Sequence, residues 1–309
     1  MKSARRIRYI AKKQKAGKST FLLLKFLIPA VLIIATLTFI KLSTHIWNGQ
    51  DKVAVAYRLP SGDAAVTVLD PALSEVTTLV IPGETEVDIS RNLGTMRIKN
   101  VWQLGINEKV GGALLPETIT ENFLFPVFLW GDSDSTGLGT GNFSQIFNFI
   151  LGSKNTNIYF GDRVAMGLFA MKIQDFGRTT IDLGKSDFLD KKILEDGTAG
   201  YEISGPISQR LTVYFSDNEN SDQNIRVNIV DATGSPGVSE KVGEILQVIG
   251  GKVVSIDKKT TPEDSDCVIY GTNSDLVKEV SNLFSCQNES GASAFDLDIH
   301  LGAKFAKRF

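Results

Sequence analysis

The stretch Phe21–Leu42, FLLLKFLIPAVLIIATLTFIKL, decides how the chain is organised. It holds an uncharged apolar run, Phe26–Ile40, flanked by Lys25 and Lys41. At about 1.5 Å per residue, a helix of this length reaches roughly 33 Å, enough to cross a bilayer core of about 30 Å. The two lysines lie near its ends, where long side chains let the ammonium groups reach the headgroups. The sequence therefore predicts a single transmembrane helix over residues 21–42 rather than a buried core helix.

Positive charge at the amino terminus sets the predicted orientation of this helix. Residues 1–20 carry eight Lys and Arg residues, and no acidic residue precedes Asp51. Because positive charge stays on the cytoplasmic side, we expect residues 1–20 to form a cytoplasmic tail and residues 43–309 to lie outside the cell membrane. A cleaved signal peptide is the alternative, but Ser43–Trp47 offers no small-residue cleavage pattern. We therefore expect an uncleaved signal anchor, with Trp47 as an aromatic residue at the membrane interface.

The charge of the remaining chain limits its partners. Ten of the 33 basic residues lie in positions 1–50 and none of the 35 acidic ones do, so residues 51–309 carry 23 basic against 35 acidic residues, a net charge of −12. Nucleic-acid affinity comes mostly from neutralising phosphates, so we expect no nucleic-acid partner. The basic tail favours the anionic cytoplasmic leaflet. These 259 residues are enough for one large or two moderate domains.

Residues 53–216 read as an α/β ectodomain. Short β-branched segments broken by Pro and Gly turns predict an antiparallel meander of four strands, Val53–Leu59, Ala64–Asp70, Val76–Pro82 and Glu86–Ser90. Helices are predicted at Met96–Leu104, Pro116–Phe125, Asn142–Leu151 and Asp162–Lys172, the last capped by Asp162. Further along, the pattern predicts a strand at Thr179–Leu183, a helix at Ser186–Leu194, and strands at Tyr201–Ser204 and Arg210–Phe215.

A polar linker, Asp217–Asn224, separates this ectodomain from a second domain at residues 225–309. Apolar spacing predicts helices over residues 238–249 and Ser274–Phe284, the first capped by Ser235. Strands are predicted at Arg226–Val230, Lys252–Asp257, Cys267–Tyr270 and Phe295–Leu301. The order βαββαβ is typical of a ferredoxin-like split sandwich, so the predicted fold class of the whole chain is α+β.

The chain has two cysteines, Cys267 and Cys286. An even pair in an oxidising compartment predicts a disulfide, with two buried free thiols as the alternative. Their number and spacing fit no zinc site, and His45 and His300 are isolated, so we expect neither a metal site nor a resident cofactor.

Three motifs in the second domain carry a family resemblance. They are Val227–Val238 (VNIVDATGSPGV), Gly250–Val254 (GGKVV) and Asp296–Gly302 (DLDIHLG). These residues resemble the LytR C-terminal domain, which accompanies the LytR-CpsA-Psr family of bacterial envelope proteins, and the resemblance covers residues 224–305. A weaker resemblance to the family's catalytic domain rests on Val68–Pro71, Ile81–Thr85, Arg97–Asn100 and Gly111–Gly112, which fall in the family's order.

The resemblance implies transfer of a phosphate-linked glycopolymer from a polyprenyl pyrophosphate carrier to peptidoglycan. Such chemistry needs guanidinium groups on the pyrophosphate and carboxylates that hold a divalent metal. This chain has Gly83 where the family has an arginine, and losing that contact costs several kcal/mol in the transition state. We therefore assign no catalytic residue. The candidate pyrophosphate contacts are Arg58, Arg91 and Arg97, with Glu84 beside Gly83.

Two functions of different classes follow. In the first, the chain is a non-catalytic envelope protein that binds wall glycan (peptidoglycan), a polyprenyl-linked precursor or another envelope protein. In the second, it is an active transferase with relocated charges, which would need Mg²⁺. The membrane span and the acidic ectodomain argue against a transcriptional regulator.

The turn formed by Thr233, Gly234, Ser235, Pro236 and Gly237 precedes a predicted helix. Its backbone amides and the helix dipole could receive an anion. An ordinary strand-to-helix turn is the alternative.

Overall fold

The computed structural model describes residues 46–205, 209–216, 225–272, 274–289, 291 and 293–309, with four further positions between 25 and 36. The predicted span at residues 21–42 lies almost wholly outside the described residues. Within them, no helix is both long enough and apolar enough to cross a bilayer.

The first sheet has the strand order β6-β1-β2-β3-β7. Its strands are β1 (Val53–Arg58), β2 (Ala64–Asp70), β3 (Glu75–Ile81), β6 (Leu129–Gly131) and β7 (Arg178–Asp182). The first three pair antiparallel in chain order, as predicted, whereas β6 and β7 join the two edges in parallel. The predicted fourth strand of the meander is absent from this sheet, because β4 (Glu86–Asp88) pairs instead with β5 (Thr95–Arg97).

Helices cover both faces of this sheet, since the alternate side chains of its strands are buried in two different apolar clusters. One face meets α1 (Ile98–Asn107) and α2 (Leu114–Phe123). The other meets α3 (Thr136–Thr140), α4 (Phe143–Leu151) and α5 (Phe160–Lys172). The chain is therefore a mixed α+β protein, as the sequence predicts.

Two predicted elements of this region are wrong. The helix predicted at Ser186–Leu194 is instead strand β8 (Leu189–Ile193), which forms a hairpin with β9 (Ala199–Ile203). The strand predicted at Arg210–Phe215 is instead the short helix α6 (Gln209–Thr212) and a turn. Alternating apolar residues suggested a strand there, but the structure buries Leu211 and Phe215, four positions apart, and exposes Val213 between them.

Asp162 and Trp47 also behave differently from the prediction. Tyr159 is the N-cap residue of α5, and the buried Asp162 carboxylate accepts hydrogen bonds from the backbone amides of Ile46 and Trp47, at 3.3 and 3.2 Å. Trp47 is 4% exposed and makes an edge contact with Phe169. Trp47 is therefore a core residue and not an interfacial one. The Asp162 carboxylate positions it by holding its backbone against α5.

The C-terminal sheet has the order β11-β10-β14-β12-β13. Its elements are β10 (Arg226–Ala232), α7 (Val238–Val248), β11 (Lys252–Lys258), β12 (Cys267–Gly271), α8 (Ser274–Phe284), β13 (Gln287–Asn288), β14 (Leu297–Gly302) and α9 (Ala303–Arg308). The predicted helices and strands are present, but the ferredoxin-like arrangement is wrong. Here β10 lies between β11 and β14 and is parallel to both, whereas a ferredoxin-like sheet is antiparallel and would place β12, not β11, beside β10.

Cys267 and Cys286 form a disulfide with a Cα–Cα distance of 4.7 Å. It joins the start of β12 to the segment just after α8, and both cysteines are buried in the core of the C-terminal sheet. The N-cap residue of α7 is Gly237, in the left-handed region with a φ of 83°, so the predicted cap by Ser235 is wrong.

Candidate functional site

Backbone atoms close off the position of Gly83, where the sequence resemblance implies an arginine. The amide of Gly83 donates a hydrogen bond of 2.7 Å to the Asp63 carboxylate in the β1–β2 turn. A Cβ atom built on Gly83 would lie 2.7 Å from the carbonyl oxygen of Gly62 and 3.2 Å from the Cβ of Lys99. The glycine therefore does more than remove a charge, because no side chain fits there without moving the β1–β2 turn.

Arg97 is held by the chain's own carboxylates. Its guanidinium forms ion pairs with Glu84 and, at 2.6 Å, with Asp196, and it donates a hydrogen bond to Thr198. Glu84 is shared, because Lys99 pairs with its other oxygen. The Lys99 hydrogen bond, together with that of Arg97, lowers the pKa of Glu84, and the hydrogen bond to Glu84 raises the pKa of Arg97. Arg97 and Glu84 thus form one ion-pair network.

Arg91 is paired in the same way but with a different partner. Its guanidinium makes a bidentate contact to Glu117, with both N–O distances at 2.7 Å. This contact raises the pKa of Arg91 despite partial burial. Arg58 lies exposed at the end of β1 and forms no ion pair within the described part of the chain. Of the three predicted arginines, two are therefore neutralised by separate carboxylates.

The predicted anion turn of the C-terminal sheet already contains a carboxylate. Asp231 accepts hydrogen bonds from the amide and hydroxyl of Thr233, at 2.9 and 2.6 Å, and from the hydroxyl of Ser239, at 2.6 Å. Burial raises the pKa of Asp231, but these hydrogen bonds lower it more, so the net shift is downward. Gly234 and Gly237 supply the positive φ angles of the turn, and Ser235 donates its amide to Thr233. The chain thus provides its own anion at this turn.

The surroundings of the same turn also oppose an added anion. Ser235 and Gly237 line a cavity of about 500 Å³ whose opposite wall includes Asp88 and Glu121. Lys241 pairs with Glu121 at 3.4 Å. Burial raises the pKa of Glu121. We conclude that the turn does not present a cationic site.

A separate cleft lies between the two sheets' helical layers. It has a volume of about 450 Å³ and is lined by α2, by the segment around β6, by the end of α8 and by the last residues of the chain. Its aromatic wall consists of Phe128, Trp130, Tyr159, Phe284 and Phe309.

Two polar residues of α8 project into this cleft. Lys278 and Asn282 are one helical turn apart and both line it. Neither forms a hydrogen bond or ion pair within the described residues. Arg308 also lines the cleft but pairs with Asp266 at 2.9 Å. The cleft combines an aromatic wall with an ammonium and an amide that have no partner within the described residues, and with the Glu117 carboxylate, which pairs with Arg91.

Sequence reasoning missed this cleft. In the aromatic run from position 123 to 130, Phe123 and Phe125 are buried, whereas Phe128 and Trp130 are half-buried and line the cleft. A signal for Lys278 and Asn282 was available in their spacing of four on the polar side of an amphipathic helix. Over the described part of the chain, no group of three or more His, Cys, Asp and Glu side chains is placed to hold a metal ion.

Comparisons with known proteins agree with the predicted resemblance. Residues 224–305 match the family described as LytR cell envelope-related transcriptional attenuator. Among solved structures, Bacillus subtilis TagT is similar with a TM-score of 0.36 and 11% identity, covering 52% of this chain and 88% of that one. Bacillus subtilis TagV is similar with a TM-score of 0.36 and 11% identity, covering 50% and 92%.

A third similar structure is the LytR-CPS2A-psr family protein YwtF (TagT) of Bacillus subtilis with bound octaprenyl pyrophosphate lipid. It has a TM-score of 0.32 and 13% identity and covers 52% of this chain and 87% of that one. No curated protein matches the sequence. At these scores no residue role passes from the solved structures to this chain.

Proposed function

We propose that the chain is a cell-envelope protein that binds a ligand without transforming it, because residues 224–305 match the LytR C-terminal family. Residues 21–42 would anchor it in the cell membrane, with residues 1–20 in the cytoplasm and the folded bulk outside. The chain would have two domains, residues 53–216 and 225–309, and both would contribute residues to the binding site.

The state of the arginines supports binding over catalysis. Stabilising a pyrophosphate in a transition state requires cations aimed at its oxygens. Arg91 and Arg97 are committed to Glu117, Glu84 and Asp196. A side chain at Gly83, where the resemblance implies an arginine, would displace the β1–β2 turn.

The cleft beside α8 is the proposed binding site, and the observation that carries it is the pair Lys278 and Asn282, which face an aromatic wall without partners of their own. An ammonium favours a phosphate, an amide suits sugar hydroxyls, and the aromatic rings offer flat apolar surface. These groups fit a polyprenyl-linked glycan better than an uncharged wall glycan or a protein segment. The ligand class we propose is therefore a phosphate-bearing, lipid-linked saccharide.

A titration of the full-length protein in detergent with polyprenyl pyrophosphate, with and without Mg²⁺, tests this function. We expect saturable binding that Lys278→Ala weakens roughly tenfold, the effect of losing about 1.4 kcal/mol. Lys304→Ala is the matched control, since Lys304 is an exposed lysine that pairs with Asp264 outside the cleft, and it should leave affinity unchanged. Equal affinity in Lys278→Ala and the parent would refute the proposed site.

A transferase that uses other cations remains the competing function, and Arg97 is its best candidate because Arg97 belongs to the stretch that resembles the family's catalytic domain. Assaying glycopolymer transfer to peptidoglycan with Mg²⁺ distinguishes the two functions. Turnover that disappears in Arg97→Ala would establish the transferase. Binding without turnover is the result we expect.

The proposed topology has its own test. Protease added to intact spheroplasts should degrade residues 46–309, because they lie outside the membrane. Survival of the C-terminal domain under that treatment would contradict the anchor and its orientation.

A further inference from the structure

The outer surface of α4 and α5 is apolar and exposed. Its residues are Phe143, Phe147, Leu151, Phe160, Leu168 and Met171, which we call the α4–α5 face. Phe143 is 71% exposed, and Phe176, on the turn after α5, is 88% exposed. Soluble proteins rarely expose contiguous apolar surface of this kind unless it meets a partner or a membrane.

Helix geometry places these six side chains on one continuous surface. Phe143, Phe147 and Leu151 recur every four residues along α4, and the rings of Phe143 and Phe147 stack. The two helices meet at a close seam, because a Cβ on Gly167 would lie 2.8 Å from the side chain of Ile150. With Ile146, Phe149, Met166 and Ala170 turned to the sheet, the exposed residues of both helices flank this seam on its outer side.

The charge pattern of this surface suits lipid. The segment 141–152, GNFSQIFNFILG, contains no ionisable side chain. Exposed lysines stand at the ends of the two helices, Lys154 just beyond α4 and Lys172 at the end of α5. An apolar helical face with cations at its margins is typical of elements that lie in the headgroup layer of a membrane.

The chain enters the described fold beside this face. The carboxylate of Asp162, in the first turn of α5, binds the amides of Ile46 and Trp47. The predicted transmembrane segment ends at residue 42, four positions before Ile46. Fully extended, four residues span at most about 14 Å, so the N-terminal end of α5 lies near the bilayer surface if the segment crosses it.

We propose that the α4–α5 face rests on the outer leaflet of the bilayer, with its apolar side chains inserted at the boundary between headgroups and acyl chains. This inference rests on the proposed membrane anchor and adds a second contact with the lipid, one that fixes the orientation of the ectodomain. Phe147, Phe160 and Leu168 would enter the lipid, and Lys154 and Lys172 would meet anionic headgroups.

Site-directed spin labelling of the full-length protein tests the contact. Both native cysteines are bonded to each other, so an added cysteine is the only labelling site in the described residues. Leu168→Cys reports the face, and Val254→Cys on β11 is the matched control, because the native side chains are 45% and 43% exposed. The proteins are reconstituted into vesicles of phosphatidylethanolamine and phosphatidylglycerol, and collisions of the nitroxide with oxygen are compared with collisions with a water-soluble nickel chelate.

We expect the label at residue 168 to favour oxygen several-fold more than the label at residue 254. Equal ratios at the two positions would overturn the proposal. Shielding of residue 168 from both reagents, with dipolar broadening between labels, would also overturn it and assign the face to a second copy of the chain.

Alkaline carbonate extraction of the same vesicles separates this inference from the anchor. If the protein stays with the vesicles but the labels at residues 168 and 254 give equal collision ratios, the membrane contact of the α4–α5 face is refuted and the anchor is not. Protein released by carbonate refutes the anchor and, with it, this inference.

Discussion

The two regions predicted to bind an anion, one around Gly83 and the other at the turn before α7, both carry carboxylates of the chain where a ligand was expected. Near Gly83, the exposed carboxylates of Glu84 and Asp196 pair with the half-buried guanidinium of Arg97. In the C-terminal turn, the buried Asp231 occupies the hydroxyls and the amide. The difference between the two lies in solvent access. The carboxylates that pair with Arg97 lie at the surface, so replacing them would leave its guanidinium accessible. The hydrogen bonds of Asp231, in contrast, are part of the buried fold.

Replacing Asp231 with alanine should produce the largest effect. The change removes three hydrogen bonds to a buried carboxylate, and we expect the C-terminal domain to lose about 4 kcal/mol of unfolding free energy. The three tryptophans, Trp47, Trp102 and Trp130, all precede residue 131, so tryptophan fluorescence follows the N-terminal region while circular dichroism follows both. Urea unfolding should therefore shift by circular dichroism and much less by fluorescence.

Asp257→Ala is the control for this measurement, because Asp257 is exposed on β11 and should change stability by less than about 0.5 kcal/mol. The pH dependence gives a second check. The pKa of Asp231 is lower in the folded protein than in the unfolded chain, so its stabilisation is complete above pH of about 4 and is lost as pH falls through the folded pKa. The parent should therefore lose more unfolding free energy in acid than Asp231→Ala does. An equal loss in the two proteins would contradict the role of the carboxylate.

Reduction of the disulfide should have the next largest effect. Cys267 and Cys286 are 19 positions apart, and closing a loop of that size stabilises by roughly 3 kcal/mol in the chain-entropy model. Urea unfolding with and without dithiothreitol measures the difference. The Cys267→Ala, Cys286→Ala double variant should match the reduced parent and should not respond to dithiothreitol.

Gly83→Ala should destabilise the N-terminal region by about 2 kcal/mol, since its Cβ meets the Gly62 carbonyl. Urea unfolding followed by tryptophan fluorescence should therefore shift to a lower urea concentration. Ser61→Ala, in the exposed β1–β2 turn that Gly83 contacts, is the control and should lower the unfolding free energy by less than about 0.5 kcal/mol. If Gly83→Arg were as stable as the parent, the β1–β2 turn would move easily enough to accept the arginine that the resemblance implies at this position.

Opening the surface network should have the smallest effect on stability. The double change Glu84→Gln, Asp196→Asn removes exposed ion pairs and should alter unfolding free energy by less than about 1 kcal/mol. It leaves Arg97 without its two carboxylates, so calorimetry should detect inorganic pyrophosphate binding that the parent lacks. Adding Arg97→Ala should abolish that binding. Pyrophosphate affinity equal in parent and double variant would mean that the carboxylates do not mask Arg97.

The sequence predicted local elements better than it predicted how they assemble. Helices α7 and α8 were found because their apolar spacing repeats over three turns. The order βαββαβ, however, is compatible with more than one sheet, and the register of β14 between β10 and β12 depends on contacts between residues about 70 positions apart. The prediction for residues 210–215 was wrong because alternation over six residues also fits a short helix followed by a turn, which together bury Leu211 and Phe215.

The candidate site was still harder to predict. The cleft brings Trp130 of the N-terminal region to Lys278 of the C-terminal domain, and no motif spans that separation. The sequence named Arg91 and Arg97 as candidate contacts but could not show that carboxylates pair with both. Their partners Asp196 and Glu117 lie 99 and 26 residues away along the chain, so their neutralisation appears only once the chain is folded.

The hydrogen bonds that Asp162 accepts from Ile46 and Trp47 also limit how far the fold could stand from a membrane anchor. Only residues 43–45 separate Ile46 from the predicted segment 21–42, so a protein anchored through that segment would work only in the layer of envelope next to the lipid. Polymers in the outer wall would pass beyond its reach, whereas carriers diffusing in the same leaflet would meet it by two-dimensional search.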